Sequence, residues 1–164
     1  KKLFFTDNGR DWMGDDEPSC ELNRLDEEGS FFGFPFKHAR DIIDPEYGNV
    51  YSGFTNIDPI LELGAHVAPT GVSFYRGEMF PLEYQNNLFI TLHGSWNRSK
   101  KSGYKVIRVI FNESGEVVKH ENFITGFLSD QNVLGRPSSV FTMIDGSMLV
   151  ADDFADKIYR VTYN

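Results

Sequence analysis

The amino-acid sequence predicts an all-β protein built from repeated sheet units. Short apolar runs alternate with Gly, Asn, Asp and Ser, and helical periodicity is poor throughout. Aromatic residues form 15% of the 164 residues, and their side chains favour half-buried strands. Three times, an apolar run is followed by a polar loop and then by a strand with Arg between apolar residues. Such a recurring unit is typical of the blades of a β-propeller.

The repeat places strands at comparable positions along the chain. Each apolar run is followed, one strand later, by an arginine that we interpret as structural: Arg24, Arg108 and Arg160. Strands are predicted near Leu3–Thr6, Glu21–Leu25, Val72–Tyr75, Leu88–Leu92, Tyr104–Phe111, Val117–Phe123, Ser138–Met143, Met148–Ala151 and Ile158–Tyr163. Turn residues at 112–115 and 144–147 indicate two hairpins.

We predict a single partial β-propeller domain spanning residues 1–164. Its strands amount to about two and a half to three four-stranded blades, whereas closed propellers need about four to eight. Residues near 36–65 lack a clean period and are expected to form a long excursion between blades. Open sheet edges favour association, so either the chain is a fragment of a larger ring, or a homodimer pairs these edges. A β-sandwich is the alternative fold.

Composition and charge exclude several functional classes. The formal net charge of −8 argues against binding to nucleic-acid phosphates or to an anionic membrane surface. No apolar run approaches the roughly 20 residues that span a bilayer. Cys20 is the one cysteine, so the chain forms no internal disulfide, which is compatible with either a cytosolic or a periplasmic protein.

Several motifs together carry a family resemblance. They are Gly9–Asp16 leading into Glu21–Arg24 and Phe32–Pro35, then His66–Gly71, Leu92–Arg98 with Gly103–Val106, and Gly135–Pro137 with Val150–Asp153. In order and spacing these motifs resemble the soluble PQQ-dependent sugar dehydrogenases, especially the L-sorbosone dehydrogenase group. The resemblance implies a six-bladed propeller with PQQ and Ca²⁺ as cofactors. It also implies oxidation of a sugar carbonyl or hemiacetal by hydride transfer to PQQ, in the periplasm or outside the cell.

The resemblance implies two calcium sites. At the first site, the main-chain carbonyls of Gly9 and Arg10 bind the Ca²⁺ that contacts PQQ, and the Arg10 side chain is expected to point away from the ion. A plain glycine turn is the alternative. At the second site, Glu21 binds a structural Ca²⁺ together with the carbonyl of Phe32. The alternative for Glu21 is an exposed strand residue that opposes a Lys or Arg.

PQQ carries three carboxylates, so its site needs cations, and Arg suits bidentate carboxylate pairing. By resemblance, Arg136 contacts PQQ from the entry to an inner strand. Arg98 and His93 fall in a loop where related enzymes place a PQQ-contacting Lys, which this sequence lacks. The alternatives are a surface ion pair for Arg98 and a hydrogen-bonded structural role for His93. His66 is expected either to hydrogen-bond the cofactor or to cap and pack the chain.

We assign no catalytic residue within this chain. The family's catalytic His, and the Arg–Asn pair that polarises the quinone, match no stretch of the sequence. We therefore expect the chain to be the C-terminal part of a PQQ-dependent sugar dehydrogenase, an oxidoreductase, and to be inactive alone. The alternative is a non-catalytic truncated propeller that acts as a sugar- or Ca²⁺-binding module or as an assembly module.

Overall fold

Antiparallel sheets dominate the computed structural model, which describes residues 2–50, 53 and 55–164. No α-helix occurs in these residues, and the helical turns are two short 3-10 segments, Gly48–Val50 and Leu82–Tyr84. The all-β prediction is therefore confirmed. Within the described residues, no helix has the length and apolar character needed to cross a membrane.

The first sheet has three strands in the order β1–β2–β5. In chain order the elements are β1 (Leu3–Asp7), β2 (Ser19–Leu25), a small hairpin of β3 (Lys37–His38) and β4 (Ile42–Ile43), and then β5 (Leu61–Ala65). Strand β5 was not predicted, because its five residues include a glycine and follow a long segment without period. It pairs antiparallel with β2 and lies inside the segment near 36–65.

The second sheet is a complete four-stranded blade. Its strands are β6 (Pro69–Phe74), β7 (Leu88–Leu92), β8 (Lys105–Phe111) and β9 (Val117–Ile124), paired in that order. A hairpin of β10 (Leu128–Ser129) and β11 (Asn132–Val133) follows, and the third sheet consists of β12 (Pro137–Thr142), β13 (Met148–Asp152) and β14 (Lys157–Val161). Each of the nine strands predicted from the sequence overlaps an observed strand, and both predicted hairpin turns are present.

The second sheet lies between the other two and contributes to two cores. All five residues of β7 are buried, and neighbouring side chains of a strand point to opposite faces. Leu88, Ile90 and Leu92 therefore join a cluster with the first sheet, where Leu22 is fully buried. Phe89 joins the cluster that includes the third sheet. Two layers of buried apolar side chains thus hold the three sheets side by side.

The inner strands approach one another closely. The Oγ1 atom of Thr6 donates to the carbonyl of Pro69 at 3.0 Å, and the Oγ1 atom of Thr70 donates to the carbonyl of Ser138 at 2.9 Å. A Cβ atom on Gly71 would lie 2.7 Å from the Cα atom of Ser139, so only glycine fits there. These contacts place β1, β6 and β12 next to one another.

Candidate functional site

Five connections meet at one end of the three sheets. The strand registers pair Asp7 with Glu21, Pro69 with Leu92, and Pro137 with Asp152, so these residues mark the same end of their sheets. The connections at this end comprise residues 8–18, 66–68, 93–104, 134–136 and 153–156. We call it the Gly9 end. It holds six predicted site residues: Gly9, Arg10, His66, His93, Arg98 and Arg136.

A small cavity lies beside Gly9. Its volume is about 70 Å³, and its lining residues are Asn8, Gly9, Asp11, Cys20, His66, Ala68 and Trp96. A Cβ atom on Gly9 would lie 2.8 Å from the carbonyl oxygen of Pro18, so this position excludes a side chain. Since a water molecule occupies about 30 Å³ of the liquid, the cavity suits an ion or two waters rather than a tricyclic quinone.

His66 fixes the β1–β2 connection from the opposite wall of the cavity. Its Nε2 atom lies 2.7 Å from the carbonyl oxygen of Gly14, and its Nδ1 atom lies 3.5 Å from Oδ1 of Asp11. The ring is buried, and the backbone has a φ of +60°. Both ring nitrogens are thus occupied by the chain itself, which is the packing arrangement that the sequence left open for this residue.

The Arg10 side chain turns towards the segment near 36–65. Its Nη1 atom lies 2.6 Å from Oδ2 of Asp44, and its Nη2 atom lies 3.0 Å from Oε2 of Glu46. His38 approaches the same oxygen of Asp44, with Nε2 at 2.8 Å. Burial opposes ionisation of Asp44, but the hydrogen bonds from His38, Arg10 and two backbone amides prevail and hold the pKa of its carboxyl well below the usual range.

Glu21 is buried, and the residue opposite it in the strand pair is another carboxylate, Asp7. The alternative of an exposed strand residue that opposes a Lys or Arg is therefore wrong. Its side chain accepts hydrogen bonds from the amide of Ala39 at 2.6 Å and from Nδ2 of Asn23 at 2.8 Å. Asp7 stands across the strand pair on the same face of the sheet. Burial raises the pKa of Glu21, and burial likewise raises the pKa of Asp7. The Oδ1 atom of Asn23 is buried without a hydrogen-bond partner in the described residues.

Phe32, the proposed partner of Glu21 in a calcium site, packs against the same face of the first sheet. Its ring meets that of Phe5 edge-on, with centroids 4.9 Å apart. Across the described part of the chain, no group of three or more His, Cys, Asp or Glu side chains is arranged to hold a metal. A calcium ion at this place would therefore depend on main-chain and amide oxygens as well as carboxylates.

Arg98 joins the β7–β8 connection, in which it lies, to the β1–β2 connection. Its Nη1 atom donates to the carbonyl of Asp15, and its Nη2 atom lies 2.8 Å from Oδ1 of Asp16. The amide of Ser99 donates to Oδ1 of Asp15 at 3.0 Å. The Nε atom of Arg98 is buried and has no partner in the described residues.

Arg136 and His93 lie on the next pair of connections. The Nε atom of Arg136 donates to the carbonyl of His93 at 3.3 Å, and its Nη2 atom donates to the carbonyl of Gly94 at 2.5 Å. The Arg136 guanidinium also lies 5.6 Å from the centre of the Tyr104 ring. Nε2 of His93 lies 2.8 Å from Oδ1 of Asp153. Arg136 and His93 thus bind groups of the chain itself, which for His93 is the hydrogen-bonded arrangement of the structural alternative.

Sequence reasoning missed the partners that hold these residues. No role was predicted for Asp44, Asp7 or Asn23, although Asn23 lies within the Glu21–Arg24 motif. Asp44 meets Arg10 only because two segments that are distant in the sequence come together. An exposed pair of tryptophans, Trp12 and Trp96, was also missed; their ring centroids are 5.5 Å apart. Both tryptophans lie within motifs that were used for the resemblance, so their presence in two loops at one end was the available signal.

Comparison with known proteins identifies the family. The family model described as TrAA12-like matches residues 51–164, which is more than half of the chain. The chain belongs to the TrAA12-like family. An uncharacterised protein of Borreliella burgdorferi is 43% identical over 165 residues, which is 99% of this chain and 44% of that protein. A pyrroloquinoline quinone-dependent pyranose dehydrogenase of Coprinopsis cinerea is 36% identical over 73 residues, which is 43% of this chain and 9% of that enzyme.

Solved structures share the fold of this family member. The calcium structure of the Trichoderma reesei carbohydrate-active enzyme of family AA12 superposes with a TM-score of 0.74 at 21% identity, over 97% of this chain and 48% of that one. The holo form of the PQQ domain of a Coprinopsis cinerea pyranose dehydrogenase gives 0.67 at 19% identity, over 99% and 50%. The chain thus spans about half the length of these proteins. The three sheets are blades of a partial β-propeller, as the repeat predicts.

Proposed function

We propose that the Gly9 end forms part of the PQQ- and Ca²⁺-binding site of an oxidoreductase that oxidises a sugar. The observation that carries this proposal is the meeting of six predicted site residues, from separate connections, at one end of three propeller blades. Sites built from loops at one end of a rigid scaffold are common, because loops vary while the sheets hold them. The matched pyranose dehydrogenase and its PQQ domain support both the cofactor and the substrate class.

The donor set near Gly9 fits a calcium ion that uses main-chain oxygens. Calcium prefers hard oxygen ligands, and the carbonyl oxygens of Pro18 and Ser19 approach Gly9 so closely that no side chain fits there. The charge of Arg10 does not oppose this, because Asp44 and Glu46 bind its guanidinium. The small cavity beside Gly9 has room for an ion with a water ligand and is too small for PQQ.

A second calcium site at Glu21 fits a different observation. Half-buried Asp7 and buried Glu21, both with raised pKa values, face the same side of the sheet, and a cation would relieve their mutual repulsion. The orphaned Oδ1 atom of Asn23 is a neutral oxygen of the kind that calcium accepts. Phe32 lies on this face and would contribute its carbonyl.

The cations fit a carboxylate-bearing cofactor in part. Arg98 keeps one buried donor, Nε, without a partner, and Arg136 is oriented by two carbonyls, which neutralise none of its charge. When bound, PQQ would supply the acceptor for the hydride. The chain's own residues would hold its carboxylates: Arg136 from the entry to β12 and Arg98 from the β7–β8 connection. His93 would join that connection to the β13–β14 connection, and His66 would fix the β1–β2 connection.

Four finer points belong to the same proposal. The substrate is of the aldose or sorbosone type, and the location is periplasmic or secreted, both by resemblance to the family. Catalysis requires residues outside this chain. A homodimer would pair β1 with β14, an edge strand of the first sheet with an edge strand of the third. The engagement of Arg98 and Arg136 by the chain's own oxygens favours a second candidate, a binding or assembly module without redox chemistry.

Calorimetric titration of the calcium-stripped protein with PQQ, with and without added Ca²⁺, tests the proposal. We expect PQQ to bind only with Ca²⁺, and Arg136→Gln to weaken binding at least tenfold, because one charge-assisted carboxylate contact contributes about 1.5–3 kcal/mol. Arg76→Gln is the matched control, since Arg76 is exposed beside β6 at the opposite end of the second sheet. Absence of PQQ binding by the folded protein would favour the module without redox chemistry.

A further inference from the structure

Trp12 and Trp96, the two tryptophans of the sequence, stand together at the Gly9 end. Their ring centroids are 5.5 Å apart and their planes meet at 81°, so the two indoles form a right-angled corner. Trp12 is 79% exposed and Trp96 is 63% exposed. Large aromatic side chains are stabilising when buried, so two that meet in solvent indicate a surface that contacts a ligand.

The corner is held in place by its surroundings. Trp12 has a φ of +68°, a left-handed conformation that favours glycine, so the backbone presents this side chain at a cost. Trp96 also lines the small cavity beside Gly9. The connections that carry the two indoles are tied together by Arg98, whose guanidinium binds Asp15 and Asp16. The indoles are therefore pre-oriented beside the proposed cofactor site.

Charge decides what the corner can bind. The connection that carries Trp12 also carries four acidic residues: Asp11, Asp15, Asp16 and Glu17. Arg98 pairs with Asp16, and the one cation of this connection, Arg10, is bound by Asp44 and Glu46 outside it. The side chain of Asp16 is 84% exposed. The remaining excess of negative charge around the two indoles repels an anionic ligand and favours a neutral one. A neutral pyranose fits this charge and shape. One face of its ring carries C–H groups that can pack on an indole, and the hydroxyls on its rim can donate hydrogen bonds to carboxylates.

We propose that Trp12 and Trp96 form the wall that receives the sugar ring, and that the acidic residues around them select neutral pyranoses against sugar acids. The indoles contact the C–H face of the ring, while carboxylates such as Asp11 accept hydrogen bonds from its hydroxyls. This inference rests on the proposed function for the substrate class. It adds the residues that determine specificity, and it predicts which sugars are refused.

Direct sugar binding tests the proposal without any turnover. We would titrate the protein with D-glucose and with D-glucuronate, with Ca²⁺ present and PQQ absent, and follow intrinsic tryptophan emission and calorimetric heat. We expect glucose to shift the emission, and glucuronate to bind at least tenfold more weakly, a gap that shrinks at high salt because the repulsion is screened. Equal affinity for the two sugars, or no response to glucose, would overturn the proposal.

Variants assign the effect to the corner. Trp12→Ala and Trp96→Ala are each expected to weaken glucose binding about tenfold, and Trp96→Phe is expected to lose less because it keeps an aromatic face. Trp12 is mostly exposed, so its removal leaves the core intact. Leu82→Ala is the control, because Leu82 is 85% exposed on the β6–β7 connection at the opposite end. Unchanged glucose affinity in both alanine variants would refute the role of the indoles.

The two proposals fail in different ways. Tryptophan-dependent glucose binding without any PQQ binding would leave the sugar wall standing and remove the cofactor site. Calcium-dependent PQQ binding with glucose affinity that ignores both tryptophans would keep the cofactor site and remove the sugar wall.

Discussion

The hydroxyl of Tyr75 links the second sheet to the third, and Tyr75→Phe tests how strongly. Tyr75 is fully buried; its hydroxyl donates to the carbonyl of Gly146 at 2.7 Å and accepts from the amide of Phe80 at 2.9 Å. Gly146 lies in the turn between β12 and β13, so this bond crosses between blades. Phenylalanine keeps the ring and its packing. The substitution therefore removes two hydrogen bonds and leaves a buried acceptor and a buried donor unpaired.

The expected loss follows from those two orphaned groups. Each buried polar group left without a partner costs about 1–3 kcal/mol, so we expect the free energy of unfolding to fall by about 2–4 kcal/mol after partial relaxation. For a chain of this size, that corresponds to a melting temperature lower by roughly 10 °C. Urea unfolding, followed by far-UV circular dichroism and by tyrosine and tryptophan emission, would measure both the midpoint and the slope. The slope should stay unchanged, since the surface buried on folding is nearly the same.

Tyr163→Phe is the matched control for this experiment. Tyr163 is 54% exposed, and its ring meets that of Phe80, the residue whose amide Tyr75 satisfies. Removing an exposed hydroxyl should change stability by less than about 0.5 kcal/mol. If both variants unfolded at the same urea concentration, the hydroxyl of Tyr75 would contribute nothing to holding the blades together, and the reasoning would be wrong.

Three further substitutions test the close approach of the blades and the buried carboxylates. Gly71→Ala should destabilise the protein by about 1–3 kcal/mol in thermal unfolding, because the added Cβ meets backbone of the third sheet; an unchanged midpoint would mean that the blades can separate freely. Asp44→Asn should make the melting temperature fall less on acidification than it does in the wild type. The lowered pKa of Asp44 means that its carboxylate stabilises the folded state above about pH 4, the unfolded pKa, and that this stabilisation is lost as the pH falls. Glu21→Gln should melt higher than wild type at neutral pH without calcium, because the raised pKa of Glu21 means that ionisation destabilises the fold as pH rises. The same variant should lose the rise in melting temperature that Ca²⁺ gives the wild type, and a retained rise would place the ion elsewhere.

The sequence predicts the fold well because strand alternation is a local signal. Each short run of apolar residues that was predicted as a strand, such as Leu88–Leu92, overlaps a strand in the structure. Strand β5 escapes because Gly64 interrupts a run of only five residues, and its pairing with β2 depends on a partner some forty residues away. The two-residue hairpins β3–β4 and β10–β11 are too short for any periodicity to show.

The sequence predicts where the candidate site lies, but it does not predict which residues contact the site residues. Strand polarity alone puts the connections that carry Gly9, His66 and Arg98 at one end of the sheets. Asp44, which neutralises Arg10, lies in an irregular segment whose path no local pattern describes. The opposition of Asp7 and Glu21 could have been derived from the β1–β2 register, because paired residues share a face. Reading register as well as alternation would have exposed that buried pair.

Position within the repeat separates structural arginines from those of the candidate site. Arg24, Arg108 and Arg160 occupy equivalent register positions, opposite Phe4, Phe89 and Leu149, near the end of each sheet that lies away from Gly9. There they bind turns: Arg24 donates to the carbonyl of Gly115 at 2.6 Å, and Arg160 donates to Oγ of Ser147 at 3.1 Å. The arginines at the Gly9 end have no counterparts in the other repeats. A residue that recurs in every blade has a structural role that every blade shares, which is to bind the turns of its own blade and of the neighbouring one. A cofactor site that spans several blades instead needs a different side chain from each loop. Departure from the repeat, more than residue type, therefore indicates where the function of this chain lies.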